Sequence, residues 1–146
     1  MNRLILNYLG IFFILLSILS FFNIIYSYYF NLYLNIDTYF YTFLISLIIG
    51  IGSFIKSKVE VKINIYTKIF VVIIGYLVIP LIISIPYYFS IYNLSFLNSY
   101  FESISGFSST GFTVFENIKH LDQSLILWRS TSQWIGGIYF LFSILL

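Results

Sequence analysis

A run of small hydroxyl residues around a single glycine is the part of this sequence that could do chemistry. The run is Ser-Ser-Thr-Gly-Phe-Thr at residues 108–113, and its composition favours extended backbone over a membrane helix. Backbone carbonyl oxygens can replace the hydration shell of a permeating cation when they face one axis. Gly111 allows the dihedral angles that such an arrangement needs. These residue types therefore predict cation coordination by main-chain oxygens, without side-chain ligands.

Two flanking segments must position this run. Residues 97–107 are compatible with a helix, but about 11 residues are too short to cross a hydrocarbon core of about 30 Å. A half-crossing helix would direct the negative end of its dipole toward a bound cation. Residues 124–146 form a longer apolar run after the loop. Irregular backbone at membrane depth is tolerated only inside protein or along a water-filled path, so the pattern predicts a re-entrant pore loop.

The composition requires a membrane environment. Hydrophobic residues make up 60% of the 146 residues and charged residues only 8%, against about 25% charged residues in soluble domains. The net charge of +2 arises from few, clustered charges, which excludes a nucleic-acid surface. The absence of cysteine excludes disulfides, thiolate metal sites and cysteine nucleophiles.

Four apolar runs, at residues 4–28, 39–55, 69–89 and 124–146, predict membrane spans. Residues 56–68 carry four lysines and one glutamate, so the positive-inside rule predicts that they are cytoplasmic. The N-terminus, with Arg3, is then cytoplasmic as well. Pro80 and Pro86 predict a kink or an early stop in the third span.

Two motifs resemble the Trk/Ktr family of potassium uptake proteins. Residues 101–113 (FESISGFSSTGFT) are similar to the family's first pore loop, and residues 127–137 (LWRSTSQWIGG) to the start of its second pore-lining helix. The resemblance implies an all-α integral membrane protein with two N-terminal transmembrane helices at residues 1–55. A basic cytoplasmic loop at residues 56–68 and the first helix–re-entrant pore loop–helix repeat at residues 69–146 would follow.

The function that this resemblance implies is potassium uptake across the cell inner (plasma) membrane. One quarter of a selectivity filter would come from the backbone carbonyls of Ser109, Thr110, Gly111 and Phe112, with potassium as the transported ion and no organic cofactor. Thr113 stands where tetrameric potassium channels have a second glycine, and the family shows looser potassium selectivity. Members carry four repeats, so the remaining repeats or further copies of the chain would complete the pore. The family also implies a homodimer and a cytosolic nucleotide-binding regulatory subunit.

Two charged residues are predicted to support the filter. Glu102 is expected at the start of the pore helix, where the positive helix end favours a carboxylate, in a structural role more than as an ion attractor. Arg129 lies about one and a half turns into the last helix. It would either extend to the membrane surface or face the shell behind the filter, near Glu102 or Glu116.

Other polar and small residues have simpler interpretations. Glu116 and Asp122 are expected in a solvated loop, with cation attraction as the alternative, and His120 is expected to be exposed. Ser46 and Gly50 form a small-residue pair that predicts helix packing, which explains Gly-Ile-Gly at residues 50–52 better than a nucleotide site does.

Three alternatives remain beside a longer potassium transporter. The chain could assemble as a homotetramer in which each subunit gives one quarter of the filter. It could also be a non-conducting membrane scaffold, or a truncated remnant that keeps the motif without the activity. A membrane enzyme is the least favoured class because the sequence places no carboxylate pair, metal cluster or nucleophile–base set at one depth.

Overall fold

The computed structural model describes residues 3–55 and 65–145, with side chains from residue 7 onward. The described residues form five α-helices and no strand, which confirms the all-α class. A short 3₁₀ helix, Tyr33–Asn35, precedes the second α-helix, and another, Ile118–His120, precedes the fifth. The α-helices are α1 (Arg3–Tyr29), α2 (Ile36–Ile55), α3 (Ile65–Tyr88), α4 (Phe96–Phe107) and α5 (Gln123–Leu145).

Three segments of the described chain are long and apolar enough to cross a membrane: Asn7–Tyr29, Tyr33–Ile55 and Ile65–Tyr88. The sequence predicted four spans. α5 has 23 residues, which is about 34 Å at the usual helical rise. It is not one of these three segments because polar residues in its first half lower its mean hydropathy. α4 has 12 residues and is too short to span. The transmembrane path of α5 and the re-entrant path of α4 therefore stay predictions.

The first two helices pack closely through small residues. A Cβ added to Gly50 would lie 2.7 Å from Ile14 Cγ1, and one added to Gly10 would lie 2.8 Å from Ser53 Cβ. Ser46 is buried on the same face of α2, and its hydroxyl donates to the carbonyl of Thr42 at 2.6 Å. The contact of Gly50 with Ile14 confirms helix packing as its role, whereas for Ser46 helix packing stays a prediction that its burial supports.

α3 continues through both prolines to Tyr88, so the early stop allowed by the sequence does not occur. Carbonyls three residues before each proline accept hydrogen bonds from other helices. The Tyr100 hydroxyl donates to the Leu77 carbonyl at 2.9 Å, and Trp128 Nε1 donates to the Ile83 carbonyl at 3.1 Å. The carbonyls that lose their N–H donor lie four residues before each proline, so these two bonds reach the carbonyls next to them. These bonds also connect α3 to α4 and α5.

A polar network joins α1 and the 3₁₀ helix before α2 to the start of α5. Buried Asn35 donates to Asp122 Oδ2 at 3.0 Å and accepts from the backbone N–H of Ile91 at 3.3 Å. The Ser124 hydroxyl donates to the same Asp122 oxygen at 2.6 Å, and Asn23 donates to the Ser124 carbonyl at 3.3 Å. Asp122 is therefore half-buried and bonded, so its interpretation as a solvated loop residue is wrong. The network fixes the start of α5, the helix that carries Arg129.

Candidate cation-binding loop

The candidate loop begins where α4 ends in a Schellman motif. The N–H of Ser109 donates to the Gly106 carbonyl at 2.9 Å, and that of Thr110 donates to the Ser105 carbonyl at 3.1 Å. Ser109 has φ +57°, the left-handed conformation that glycine usually supplies in this motif. At the other end of α4, the Ser95 hydroxyl accepts the Asn98 N–H as the N-cap. Local hydrogen bonds therefore set the direction in which the chain leaves the helix.

Gly111 has φ +80°. A Cβ at this position would meet no atom within 4 Å, so the backbone conformation, and not lack of space, favours glycine here. Residues 108–112 are all exposed, and the ring of Phe112 is 70% exposed. The loop is an open stretch of backbone in which two of four successive residues are left-handed.

The four predicted carbonyl ligands differ in how many hydrogen bonds they already accept. In the described part of the chain, no hydrogen bond reaches the carbonyl oxygens of Ser109 and Thr110. The Gly111 carbonyl accepts one bond from Arg129 Nη2 at 3.2 Å. The Phe112 carbonyl accepts two, from Arg129 Nη2 at 3.2 Å and the Ser105 hydroxyl at 2.7 Å. Because a carbonyl oxygen has two lone pairs, coordination capacity decreases along the loop.

A buried ion pair between α4 and α5 anchors the loop. Arg129 Nη1 lies 2.6 Å from Glu102 Oε1, and Glu102 is fully buried. The Thr113 hydroxyl donates to both Glu102 oxygens at 3.2 and 3.0 Å, and the Val114 N–H donates to Oε2 at 3.0 Å. Arg129 therefore neither extends to the membrane surface nor pairs with Glu116, because its guanidinium joins Glu102 to the loop carbonyls.

The predicted position of Glu102 was wrong, and its structural role stays a prediction. Glu102 is the seventh residue of the 12-residue α4 and not at its start. Its carboxylate therefore owes its stabilisation to Arg129, Thr113 and the Val114 N–H, and not to the positive helix end.

The other polar residues singled out in the sequence lie apart from this loop. Glu116 and His120 are exposed, as the sequence predicted for both. The described residues contain no group of three or more histidine, cysteine or acidic side chains that could hold a metal ion.

Reasoning from sequence missed Ser105 and Gly136. Both stand inside the two quoted motifs, but nothing in their spacing indicates what they contact.

Gly136 lets α5 approach the end of α4. A Cβ at Gly136 would overlap the Phe107 carbonyl, whereas a Cβ at Gly137 would meet nothing within 4 Å. We therefore expect Gly136→Ala to lower the free energy of unfolding by about 1–3 kcal/mol, the usual cost of overpacking. Gly137→Ala is the matched control. Thermal unfolding of the detergent-solubilised variants measures both, and equal stability of the two would contradict this account.

The molecule is therefore an all-helical membrane protein in which a buried ion pair anchors an exposed backbone loop. The profile of the TrkH family, described as cation transport proteins, matches residues 35–145. The chain belongs to this family. The match includes the candidate loop and Asn35 of the polar network, and the whole of α1 precedes it.

Three relatives support the assignment. The chain is 38% identical over 65 residues to an uncharacterized cation transporter of Methanocaldococcus jannaschii, 40% over 60 residues to the Trk system potassium uptake protein TrkI of Halomonas elongata, and 37% over 46 residues to TrkG of Escherichia coli. These stretches cover 44%, 41% and 32% of this chain, but only 14%, 11% and 10% of the relatives. No solved structure matches the chain significantly.

Proposed function

We propose that this chain takes part in potassium uptake and supplies one quarter of a selectivity filter. The observation that carries the proposal is the exposed loop at residues 108–112, in which Ser109 and Gly111 are left-handed. The carbonyls of Ser109 and Thr110, which accept no hydrogen bond from the described residues, are the main potassium ligands. The carbonyl of Gly111 contributes less, and that of Phe112 least, because both also accept hydrogen bonds from Arg129.

Glu102 and Arg129 support the filter and do not bind the ion. The guanidinium charge is balanced by the Glu102 carboxylate at 2.6 Å, which limits its repulsion of a cation in front of the loop. The same carboxylate fixes Thr113 and Val114 directly after the proposed ligands. Both ends of the ligand stretch are thus anchored to α4, through the Schellman motif and through Glu102.

The assembly that conducts requires three further filter quarters. These come from other pore repeats or further copies of the chain, in a plasma membrane with the N-terminus in the cytoplasm. A homodimer and a cytosolic nucleotide-binding regulatory subunit belong to the same proposal, by analogy with Trk/Ktr proteins. Potassium entering a cell that is negative inside gains about 2.3 kcal/mol per 100 mV, so a selective pore can sustain uptake without further coupling.

Potassium uptake by cells tests the proposal directly. The coding sequence is deleted at its native locus in a strain whose other potassium uptake systems have been removed, and initial uptake is measured at low external potassium. We expect the deletion to reduce the rate severely and restoration of the gene to recover it. Sodium at a tenfold excess over potassium should inhibit potassium uptake less than rubidium does at the same concentration as the sodium. Unchanged uptake after deletion would favour the non-conducting scaffold instead.

A further inference from the structure

We propose that the beginning of α3 and the end of α5 form a binding site for one anionic phospholipid. A cavity of about 320 Å³ lies between these helices, within the range of about 300–1,000 Å³ that is usual for ligand sites. Its lining combines aliphatic side chains with one lysine and one serine: Ile65, Lys68, Ile69, Val72, Ile73 and Ser143. The site lies at the end of α3 opposite the polar network and shares no residue with the candidate loop.

Lys68 supplies the charge complementarity. Its side chain is half-buried in the cavity wall, and among residues 3–55 and 65–145 no acidic group forms an ion pair with it. The first turn of α3 contains no acidic residue. An ammonium that has no acidic partner among the described residues and lies beside a partly enclosed apolar space favours an anion that carries its own apolar tail.

The aliphatic part of the site is suited to an acyl chain. Ile65, Ile69 and Ile73 follow one another at four-residue intervals and are 64%, 53% and 53% exposed. This spacing places them on one face of α3. The face runs from Lys68 toward the centre of the helix. A phospholipid whose phosphate contacts the lysine would therefore place its acyl chain along the isoleucines.

The flanking sequence strengthens the choice of a phospholipid over a free phosphate ion. Lys56, Lys58 and Lys62 precede α3 in the chain, and basic segments next to membrane helices attract anionic lipid surfaces. A free phosphate ion would pair with the charge of Lys68 but would leave the apolar isoleucine face uncovered. The inference concerns lipid binding alone and does not depend on the proposed transport function.

Quenching of an introduced tryptophan by brominated lipid tests the site. The full chain carrying Ile73→Trp is reconstituted in vesicles that contain brominated phosphatidylglycerol or brominated phosphatidylcholine, and the signal of the parent chain is subtracted. Ile48→Trp is the matched control, because position 48 is 69% exposed and, by helical rise, lies at a similar distance from its helix end. We expect about fivefold tighter association with phosphatidylglycerol at position 73, which corresponds to about 1 kcal/mol, and no preference at position 48.

Charge variants complete the test. Lys68→Gln should remove the preference at position 73, Lys68→Arg should keep it, and Lys119→Gln, a change in the exposed loop before α5, should leave it unchanged. Equal quenching by the two lipids at position 73 would overturn the proposal. Protection of position 73 from both lipids would overturn it as well, because another protein surface would then occupy the groove. So would loss of the preference in Lys119→Gln, which would indicate a general charge effect.

Discussion

We expect potassium uptake to fall about tenfold or more when Gly111 is replaced by alanine. Gly111 has φ +80°, and an L-residue in left-handed backbone costs about 1–2 kcal/mol, where 1.4 kcal/mol corresponds to a factor of ten. The surrounding space would accept the new methyl group. The variant chain should therefore fold and reach the membrane, while its loop relaxes away from the conformation that coordinates the ion.

Two further substitutions separate this mechanism from a general loss of stability. Gly111→Asn should retain more uptake than Gly111→Ala, because asparagine tolerates left-handed backbone better. Gly52→Ala is the matched control, since a Cβ at Gly52 also meets nothing within 4 Å and its φ is not positive. Initial uptake is compared at equal amounts of protein in the membrane. Wild-type uptake by Gly111→Ala would exclude the loop as the ion-binding element.

The second large effect is expected when Glu102 is replaced by glutamine. The variant leaves the guanidinium of Arg129 buried without its counter-ion, and breaking a buried ion pair in this way costs about 3–5 kcal/mol. Thr113 and Val114 lose a charged acceptor in the same step. We therefore expect a strong decrease in thermal stability in detergent and loss of potassium uptake.

A double variant distinguishes ion pairing from support of the loop. Glu102→Leu combined with Arg129→Met replaces the pair with apolar side chains, a change that is often neutral or stabilising in protein interiors. Stability should then recover above that of Glu102→Gln. Uptake should not recover, because Gly111 and Phe112 have lost their common donor. Recovery of both properties would show that the pair has no role in shaping the loop.

The sequence predicted the helices well because apolar runs and membrane thickness determine them. The predicted short helix at residues 97–107 corresponds to α4 at Phe96–Phe107, and the run at residues 69–89 corresponds to α3 at Ile65–Tyr88. The basic segment was predicted to reach residue 68, but α3 already contains Lys68. Residues 56–64 and Leu146 lie outside the described part of the chain.

Contacts between the helices could not be predicted from the sequence. Membrane helices that are apolar on most sides carry no clear periodic stripe, so the sequence does not indicate which faces meet. The link from Asn35 to Asp122, separated by 87 positions, is one example. The approach of Gly136 to Phe107 is another, since it depends on the relative placement of two helices. For Arg129 the sequence left two alternatives open, and the ion pair with Glu102 agrees with the one in which a buried charge has a partner.

The polar first half of α5 has a consequence for how the chain enters the membrane during synthesis. An arginine in an isolated helix opposes release from the translocon into lipid, by about 2.5–3.5 kcal/mol at the helix centre and by less near a helix end, where Arg129 lies. The partner of Arg129 is on α4 and the acceptor for Trp128 is on α3, and the ribosome makes both before α5. On the transmembrane path predicted for α5, the nascent helix would leave the translocon against a protein surface that is already in place. We therefore expect a defect in α4 to leave α5 at the membrane surface, although no residue of α5 had changed.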